Sequence, residues 1–142
     1  MSEIQLELVT PEGILVSEKI NELTAMTESG EIGILKNHAQ LKSKLISAPL
    51  KYRSTEDKTD IIAVLGGIIE VTGNKITVLT DFAQRADDID EAEAQQEADK
   101  ARAKIQTLNI DAKNSNPDLI LAELNLIKQV IKLEASRLKR KI

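Results

Sequence analysis

Any chemistry in this chain must come from a small set of residues, beginning with its one histidine. His38 stands in the stretch Lys36-Asn37-His38-Ala39. The chain contains no cysteine, and no carboxylate stands beside His38 at the spacing that metal ligands need, so no zinc site is predicted. A loop histidine with an ordinary hydrogen bond is the favoured interpretation over a catalytic one.

Two further patterns imitate functional motifs without meeting their requirements. Gly66-Gly67 lacks both the spacing of a phosphate-binding loop and the helix that follows such a loop. The stretch 87–99 is rich in acidic side chains and contains no basic one. It lacks the alternating oxygen ligands and the central glycine of a calcium loop, so a solvated helix N-terminus is the simpler interpretation. We therefore expect no catalytic residue, no metal and no cofactor, and interpret the chain as not an enzyme.

Cations accumulate towards the end of the chain, where they have two interpretations. They can be a solvated face with charges that favour a helix C-terminus, or an electrostatic contact with an acidic partner protein. The residues alone leave both open. The candidate docking residues are Lys128, Lys132, Arg137, Lys139 and Arg140.

Composition excludes several other classes of function. The 142 residues are 42% apolar and 30% charged, which is typical of a soluble globular protein. A net charge of −4 gives no reason to expect nucleic-acid binding. Tyr52 and Phe82 are the only aromatic residues, so a surface that stacks bases or sugars is not expected. No apolar run is long enough for a membrane span, and the N-terminus lacks the basic start of a signal peptide.

The hydrophobic period indicates strands from the N-terminus to about residue 84. Ile4, Leu6 and Leu8 alternate with polar residues, the period of a half-buried strand. A turn is predicted at 10–13, a hairpin around 28–31, and a bend or bulge at Gly66-Gly67. Gly73-Asn74 between β-branched runs predicts a tight hairpin. Many short strands at regular spacing favour an all-β sandwich, which we assign to residues 1–84.

Residues 85–142 have a helical period and predict two helices, at about 90–109 and 117–139. Asp90 with Glu93 three residues later has the spacing of a capping box, and Asn116-Pro117 is a typical start for the second helix. Each helix carries an apolar stripe, and pairing these two stripes predicts a C-terminal helical hairpin. The alanine-rich first stripe is Ala94, Ala98, Ala101, Ile105 and Leu108, and the second is Ile120, Leu124, Ile127, Ile131, Ala135, Leu138 and Ile142.

The second helix has a spare apolar flank beside its stripe. Because alanine buries little area, the predicted hairpin seam is thin. One thin partner helix cannot cover both flanks, so either the β head or another protein must cover the rest. The flank consists of Leu119, Leu126, Val130 and Leu133.

An ordered set of short motifs resembles the epsilon subunit of bacterial and chloroplast rotary ATP synthases. The resemblance runs over essentially the whole chain, although the family usually has proline where Lys36 and Gln40 stand and an aromatic residue where Ile68 stands. The motifs are 9–13, 29–35, 37–39, 66–67 with 70–71, 74–79 and 86–90.

This resemblance implies a sandwich of about ten strands followed by two helices, in a non-catalytic central-stalk subunit. It implies that the head binds the γ subunit and that Glu31, Asn37 and His38 face the ring of membrane c subunits. It also implies that the helices either fold on the head or extend along γ and inhibit ATP hydrolysis, with the candidate docking residues contacting the catalytic α/β subunits. The expected location is peripheral, on the cytoplasmic face of a bacterial plasma membrane or the stromal face of a thylakoid, with membrane association only through the complex.

Some bacterial relatives bind ATP at an Ile/Leu-Asp-x-x-Arg-Ala motif. The matching positions here are Ile89, Asp90, Glu93 and Ala94. Glu93 replaces the arginine and places an anion where a phosphate needs a cation, so the motif is degenerate and tight ATP binding is not expected.

Two rival hypotheses remain open at this point. The first is a free-standing adaptor or small-ligand-binding β-sandwich, which would be isolated without a γ partner. The second is a lyase or hydrolase on a β scaffold, which would need a polar pocket that the sequence does not indicate.

Overall fold

A computed structural model describes residues 3–111 and 117–142 and contains a β-rich head followed by two helices. The predicted sandwich with a C-terminal helical hairpin is confirmed, with nine strands in the described residues against the ten or so expected. The strands are β1 (Ile4–Thr10), β2 (Gly13–Thr27), β3 (Gly30–Leu35), β4 (Leu41–Leu45), β5 (Ala48–Ser54), β6 (Thr59–Val64), β7 (Gly67–Thr72), β8 (Lys75–Leu79) and β9 (Ala83–Arg85). A 3-10 turn (Ala86–Asp88) leads into α1 (Glu91–Asp111) and α2 (Pro117–Arg140).

The long strand β2 joins the two layers of the sandwich. The sequence suggests separate apolar pieces at 14–16 and 20–26, but the structure forms one strand across both. Its first half pairs with β1, and its second half pairs with β3 and β5. The sheet runs β1-β8-β7-β4-β2-β5-β6-β9, with β3 on β2 and a second pairing of β1 with β2. Only β1 and β8 among the described pairs are parallel, which makes the sandwich mixed.

Local turn chemistry explains two of the hairpins. Gly73 has φ +59°, the left-handed conformation that a two-residue hairpin needs, and Thr72 pairs directly with Lys75. Thr27 pairs with Gly30 across the second hairpin, whose tip is Glu28-Ser29. Both predicted hairpins are therefore confirmed.

Strand β6 is buried on both of its faces. Ile62 and Val64 point into the main core between the layers. Ile61 and Ala63 lie on the opposite face, where they pack with Ile131 and Ala135 of α2. The unbroken apolar run of this strand is typical of a strand covered on both sides, and here the cover is the second helix.

Helix α1 uses the apolar stripe that the sequence indicated, but helix α2 packs against it with a different face from the one predicted. Leu126 and Leu133, from the flank called spare above, pack against Ala94 and Ala98 of α1. The predicted stripe of α2 instead packs its centre, Ile131 and Ala135, on the head. The pairing of stripes was wrong because a hydrophobic period locates an apolar face but not its partner. The rest of that stripe is exposed: Ile120, Leu124, Ile127, Leu138 and Ile142.

The predicted start of α1 is confirmed. Asp90 Oδ1 accepts the backbone N–H of Glu93 at 3.0 Å, so Asp90 caps the helix. The proposed cap of α2, Asn116, lies outside the described residues. Whether residues 1–84 and 85–142 are separate domains stays a prediction.

Candidate functional site

The residues assigned to the c-ring do not form one cluster. Glu31 is at the beginning of β3, whereas Asn37 and His38 follow its end. A strand of this length separates them by about 20 Å. His38 Nδ1 donates to the carbonyl oxygen of Ala39 at 2.7 Å, the ordinary loop contact favoured above. Asn37 has φ +62°, a conformation that asparagine tolerates better than most residues.

Glu31 shares a groove with the end of α2. The groove measures about 420 Å³ and is lined by Glu31 on one side and by Leu138, Lys141 and Ile142 on the other. In this conformation the tail therefore lies beside one of the residues assigned to the ring.

Lys139 is the docking candidate most deeply engaged with the head. Its Nζ donates to the carbonyl oxygen of Thr59 at 2.8 Å and lies 3.4 Å from Asp60 Oδ1 and 3.6 Å from Asp87 Oδ2. Only 27% of its side chain is exposed. An ammonium group held by three oxygens is not free to meet a partner protein.

Two more of the candidate cations also make contacts within the chain. Lys128 Nζ lies 4.1 Å from the centre of the Phe82 ring, a cation–π contact. Arg140 Nη2 pairs with Glu91 Oε1 of α1 at 3.1 Å. Lys132 and Arg137 make no ion pair within the described ranges. Of the five candidate cations, three therefore make contacts that hold the helices in their folded position. The other two, Lys132 and Arg137, are available to contact another protein.

Asp60 organises a network beneath Lys139. Arg85 Nη1 donates to Asp60 Oδ2, as does the Tyr52 hydroxyl at 3.3 Å. Burial raises the pKa of the Tyr52 phenol far above its usual range. Burial acts to lower the pKa of Arg85, but the hydrogen bond to Tyr52 and the charge of Asp60 outweigh it and raise that pKa. The network therefore keeps a neutral phenol and a charged guanidinium around the carboxylate.

The degenerate ATP motif has structural roles at three of its four positions. Ile89 packs under α2 with Ala86, Asp90 caps α1, and Ala94 lies in the seam between the helices. Glu93 is exposed. A shallow groove of about 400 Å³ beside this turn is lined by Glu91 together with Arg137 and Arg140 of α2.

An apolar row on the outer face of the head escaped the sequence analysis. The strand register places Val9 opposite Ile14, Val9 beside Leu79, and Leu79 opposite Ile68. The row therefore crosses four neighbouring strands, and Ile14, Leu79 and Ile68 are 62%, 51% and 40% exposed. Val9 and Leu79 are apolar residues at outward positions of alternating strands, and this pattern could have indicated the row. The sequence does not show which strands are neighbours, so it could not have placed these residues side by side.

Neither a metal cluster nor a membrane-spanning helix is present in the part of the chain that the structure describes. Residues 3–111 and 117–142 contain no group of three or more His, Asp or Glu side chains placed to hold a metal. Over the same ranges, neither helix has the length and hydropathy to cross a bilayer.

Comparison with known families gives one domain-level match. The family model described as the ATP synthase, Delta/Epsilon chain, beta-sandwich domain, matches residues 3–86.

Curated relatives match over most of the chain. The ATP synthase epsilon chain of Natranaerobius thermophilus is 35% identical over 97% of this chain and 95% of its own length. That of Herpetosiphon aurantiacus is 36% identical over 96% of each. The epsilon chain of Carboxydothermus hydrogenoformans is 42% identical over 72% of this chain and 76% of its own length.

Solved structures show the same fold at low identity. A chain of the Euglena gracilis mitochondrial ATP synthase, from a structure of its OSCP, F1 and c-ring, has a TM-score of 0.77 at 24% identity. It covers 96% of this chain and 82% of its own length. A chain from the central stalk and c-ring of the Tetrahymena thermophila mitochondrial ATP synthase has a TM-score of 0.60 at 16% identity and covers 94% of this chain and 96% of its own.

Proposed function

Because this chain belongs to the ATP synthase delta/epsilon chain family and is a non-catalytic epsilon subunit, we propose that it links the γ subunit to the c-ring and restrains ATP hydrolysis through its C-terminal helices.

The apolar row on the head is the observation that carries the docking role. Ile14, Leu79 and Ile68 expose large side chains side by side on an otherwise polar sheet face. A contiguous apolar patch of this kind is typical of a protein-binding surface. We assign this row to the γ subunit, since the ring is assigned to other residues by resemblance.

The ring contact is assigned to Glu31, Asn37 and His38 by resemblance to the family. These residues lie at opposite ends of β3, about 20 Å apart. A single small subunit could not readily contact both ends, whereas a ring of repeated subunits presents a broad surface that could. The separation is therefore compatible with the assignment.

The regulatory role is supported by how lightly the tail is packed. Alanines supply the α1 side of the helix–helix seam, and one small apolar cluster joins α2 to the head. A switching element needs two arrangements of similar free energy. Lys132 and Arg137 remain available to meet an acidic surface of the catalytic α/β subunits.

The location follows from the complex. We place the chain on the cytoplasmic face of a bacterial plasma membrane, because the curated relatives described above are bacterial. The stromal face of a thylakoid membrane is the alternative. Association with either membrane would run only through the other subunits.

Purification of the tagged chain from source membranes tests the proposal, with γ and c identified by mass spectrometry. Recovery of the tagged chain without γ would contradict the proposed function and favour a free-standing adaptor. Replacing Ile14 and Leu79 with aspartate should abolish γ recovery while circular dichroism stays unchanged, because both side chains are exposed. Thr72→Asp is the matched control, since Thr72 is exposed on β7 away from the row.

A further inference from the structure

Helix α2 is fastened to the head at two points by two lysines. Lys128 sits over the Phe82 ring and Lys139 donates to Thr59 and Asp60. Three helical turns separate the two lysines, so they project from the same face about 16 Å apart. The only two aromatic residues of the chain, Phe82 and Tyr52, each take part in one of the two attachment points.

The apolar contact between these points is small. Ile131 and Ala135 of α2 pack with Ile61 and Ala63 of β6, with Ala86 and Ile89 beside them. Three of those six side chains are alanines, which bury little area. The two polar attachments therefore form a large share of what holds this helix to the head.

The carboxylate of Asp60, which accepts Lys139, is held in position by other hydrogen bonds. Asp60 Oδ1 accepts the N–H of Ile61 at 2.9 Å, and Oδ2 is held by Arg85 and Tyr52. A carboxylate fixed in this way needs no reorganisation to receive an ammonium group, which favours a specific contact over a diffuse one.

The groove around Asp60 is better explained by this contact than by a ligand. It measures about 450 Å³, and its charged side chains balance one another and leave no excess of either sign. They are Lys19, Lys58, Arg85 and Lys139 against Glu18, Glu56, Asp60 and Asp87.

We propose that Lys128 and Lys139 form a lysine clamp that holds α2 on the head and opposes its release. The clamp divides the basic face of α2 by function. Lys128 and Lys139 stabilise the folded tail, whereas Lys132 and Arg137, which have no ion pair in the described ranges, serve the released tail. The regulatory consequence of this division rests on the proposed function, but the clamp itself does not.

The clamp can be tested on the isolated chain by thiol labelling, because the sequence contains no cysteine. Ala63→Cys places a small thiol on β6 beneath α2, where Ala63 is 1% exposed. A maleimide can label this thiol only when α2 moves away from β6. The labelling rate therefore reports the fraction of molecules in which α2 is detached from the head. Adding Lys128→Met and Lys139→Met should raise this rate roughly 3- to 30-fold, the combined range for one cation–π contact and one partly exposed ion pair.

Two controls make the result specific. Lys132→Met with Arg137→Met removes the same number of cations from the same helix and should leave the rate unchanged. Val78→Cys lies in the main core on β8, away from α2, and reports global unfolding, so its labelling should also stay unchanged. A clamp variant that labels at the wild-type rate overturns the proposal. Equal acceleration by the control pair, or at position 78, overturns it as well.

Hydrolysis by the reconstituted complex provides a separate readout. The clamp variant should inhibit more strongly than wild type, because its tail is released more often. If labelling accelerates while hydrolysis does not change, the clamp stands and the regulatory part of the proposed function fails. If labelling does not accelerate, the clamp fails whatever hydrolysis does.

Discussion

Gln129 donates from Nε2 to Asn125 Oδ1 one helical turn earlier, at 3.0 Å, while its own Oε1 is buried and lacks a hydrogen-bond partner in the described structure. Gln129 follows Ala122 and Leu126 and precedes Leu133 at spacings of four, three and four. It therefore shares the α2 face that packs on α1.

The first prediction is that Gln129→Leu stabilises the hairpin. A buried acceptor without a partner costs about 1–3 kcal/mol, and leucine of similar size removes it. The free energy of unfolding, measured by denaturant titration, should rise by an amount of this order. Gln96→Leu, on the exposed surface of α1, is the control and should have little effect. A less stable Gln129→Leu variant would show that the oxygen is satisfied in solution.

The second prediction concerns the tail as inhibitor. Deleting residues 87–142 should raise ATP hydrolysis by the complex, because the inhibitory helices are gone, while γ is still recovered with the head. Hydrolysis should be measured under conditions that favour ATP breakdown. Unchanged hydrolysis with γ retained would remove the inhibitory role and leave the docking role intact.

The third prediction concerns the available cations. Replacing Lys132 and Arg137 with alanine should weaken inhibition roughly 2- to 30-fold, since exposed ion pairs contribute about 0.2–1 kcal/mol each. Added salt should weaken inhibition in the same direction by screening. Circular dichroism of the variant controls for lost helicity. Full inhibition by the variant without these two charges would indicate that the exposed apolar stripe of α2, rather than its cations, binds the catalytic subunits.

The fourth prediction concerns the bend before β7. Gly67 has φ +130°, and a Cβ built on it would collide with the backbone carbonyl of Leu79. Gly67→Ala combines backbone strain with overpacking and should lower the free energy of unfolding by about 2–5 kcal/mol. Gly33→Ala is the matched control, because a Cβ there meets nothing within 4 Å. Equal stability of the two variants would contradict the geometry.

The fifth prediction concerns ATP. Calorimetry of the wild-type chain should detect no binding, because Glu91 already pairs with Arg140 and Glu93 adds a second anion at the same turn. Glu93→Arg restores the cation of the family motif and should gain affinity. Glu93→Gln removes the negative charge without adding a positive one, so it should gain less. Tight binding by the wild-type chain would refute the reasoning from charge.

The fold was largely predictable because its signals are local. Alternation marked β1, Gly73-Asn74 marked a hairpin, and Asp90 marked a helix start. Each depends on neighbouring residues alone. The apolar row depends instead on which strands are neighbours, and Val9 meets Leu79 only through a parallel pairing of distant segments.

The candidate site was predictable only in its residue types. The sequence showed that α2 is basic, but it could not separate Lys139, held by Asp60, from Arg137, which is exposed. That distinction depends on how α2 is oriented about its own axis, which the sequence does not show. For the same reason, the two apolar faces of α2 were assigned to the wrong partners.

The double burial of β6 has a consequence for biosynthesis. The chain is made from the N-terminus at about 5–20 residues per second, so β6 emerges several seconds before the segment that covers Ile61 and Ala63. During that interval the nascent head carries an uncovered apolar strand face. The ribosome surface or a chaperone that shields such faces would be its natural temporary cover, and slow translation between β9 and α2 would prolong the exposure.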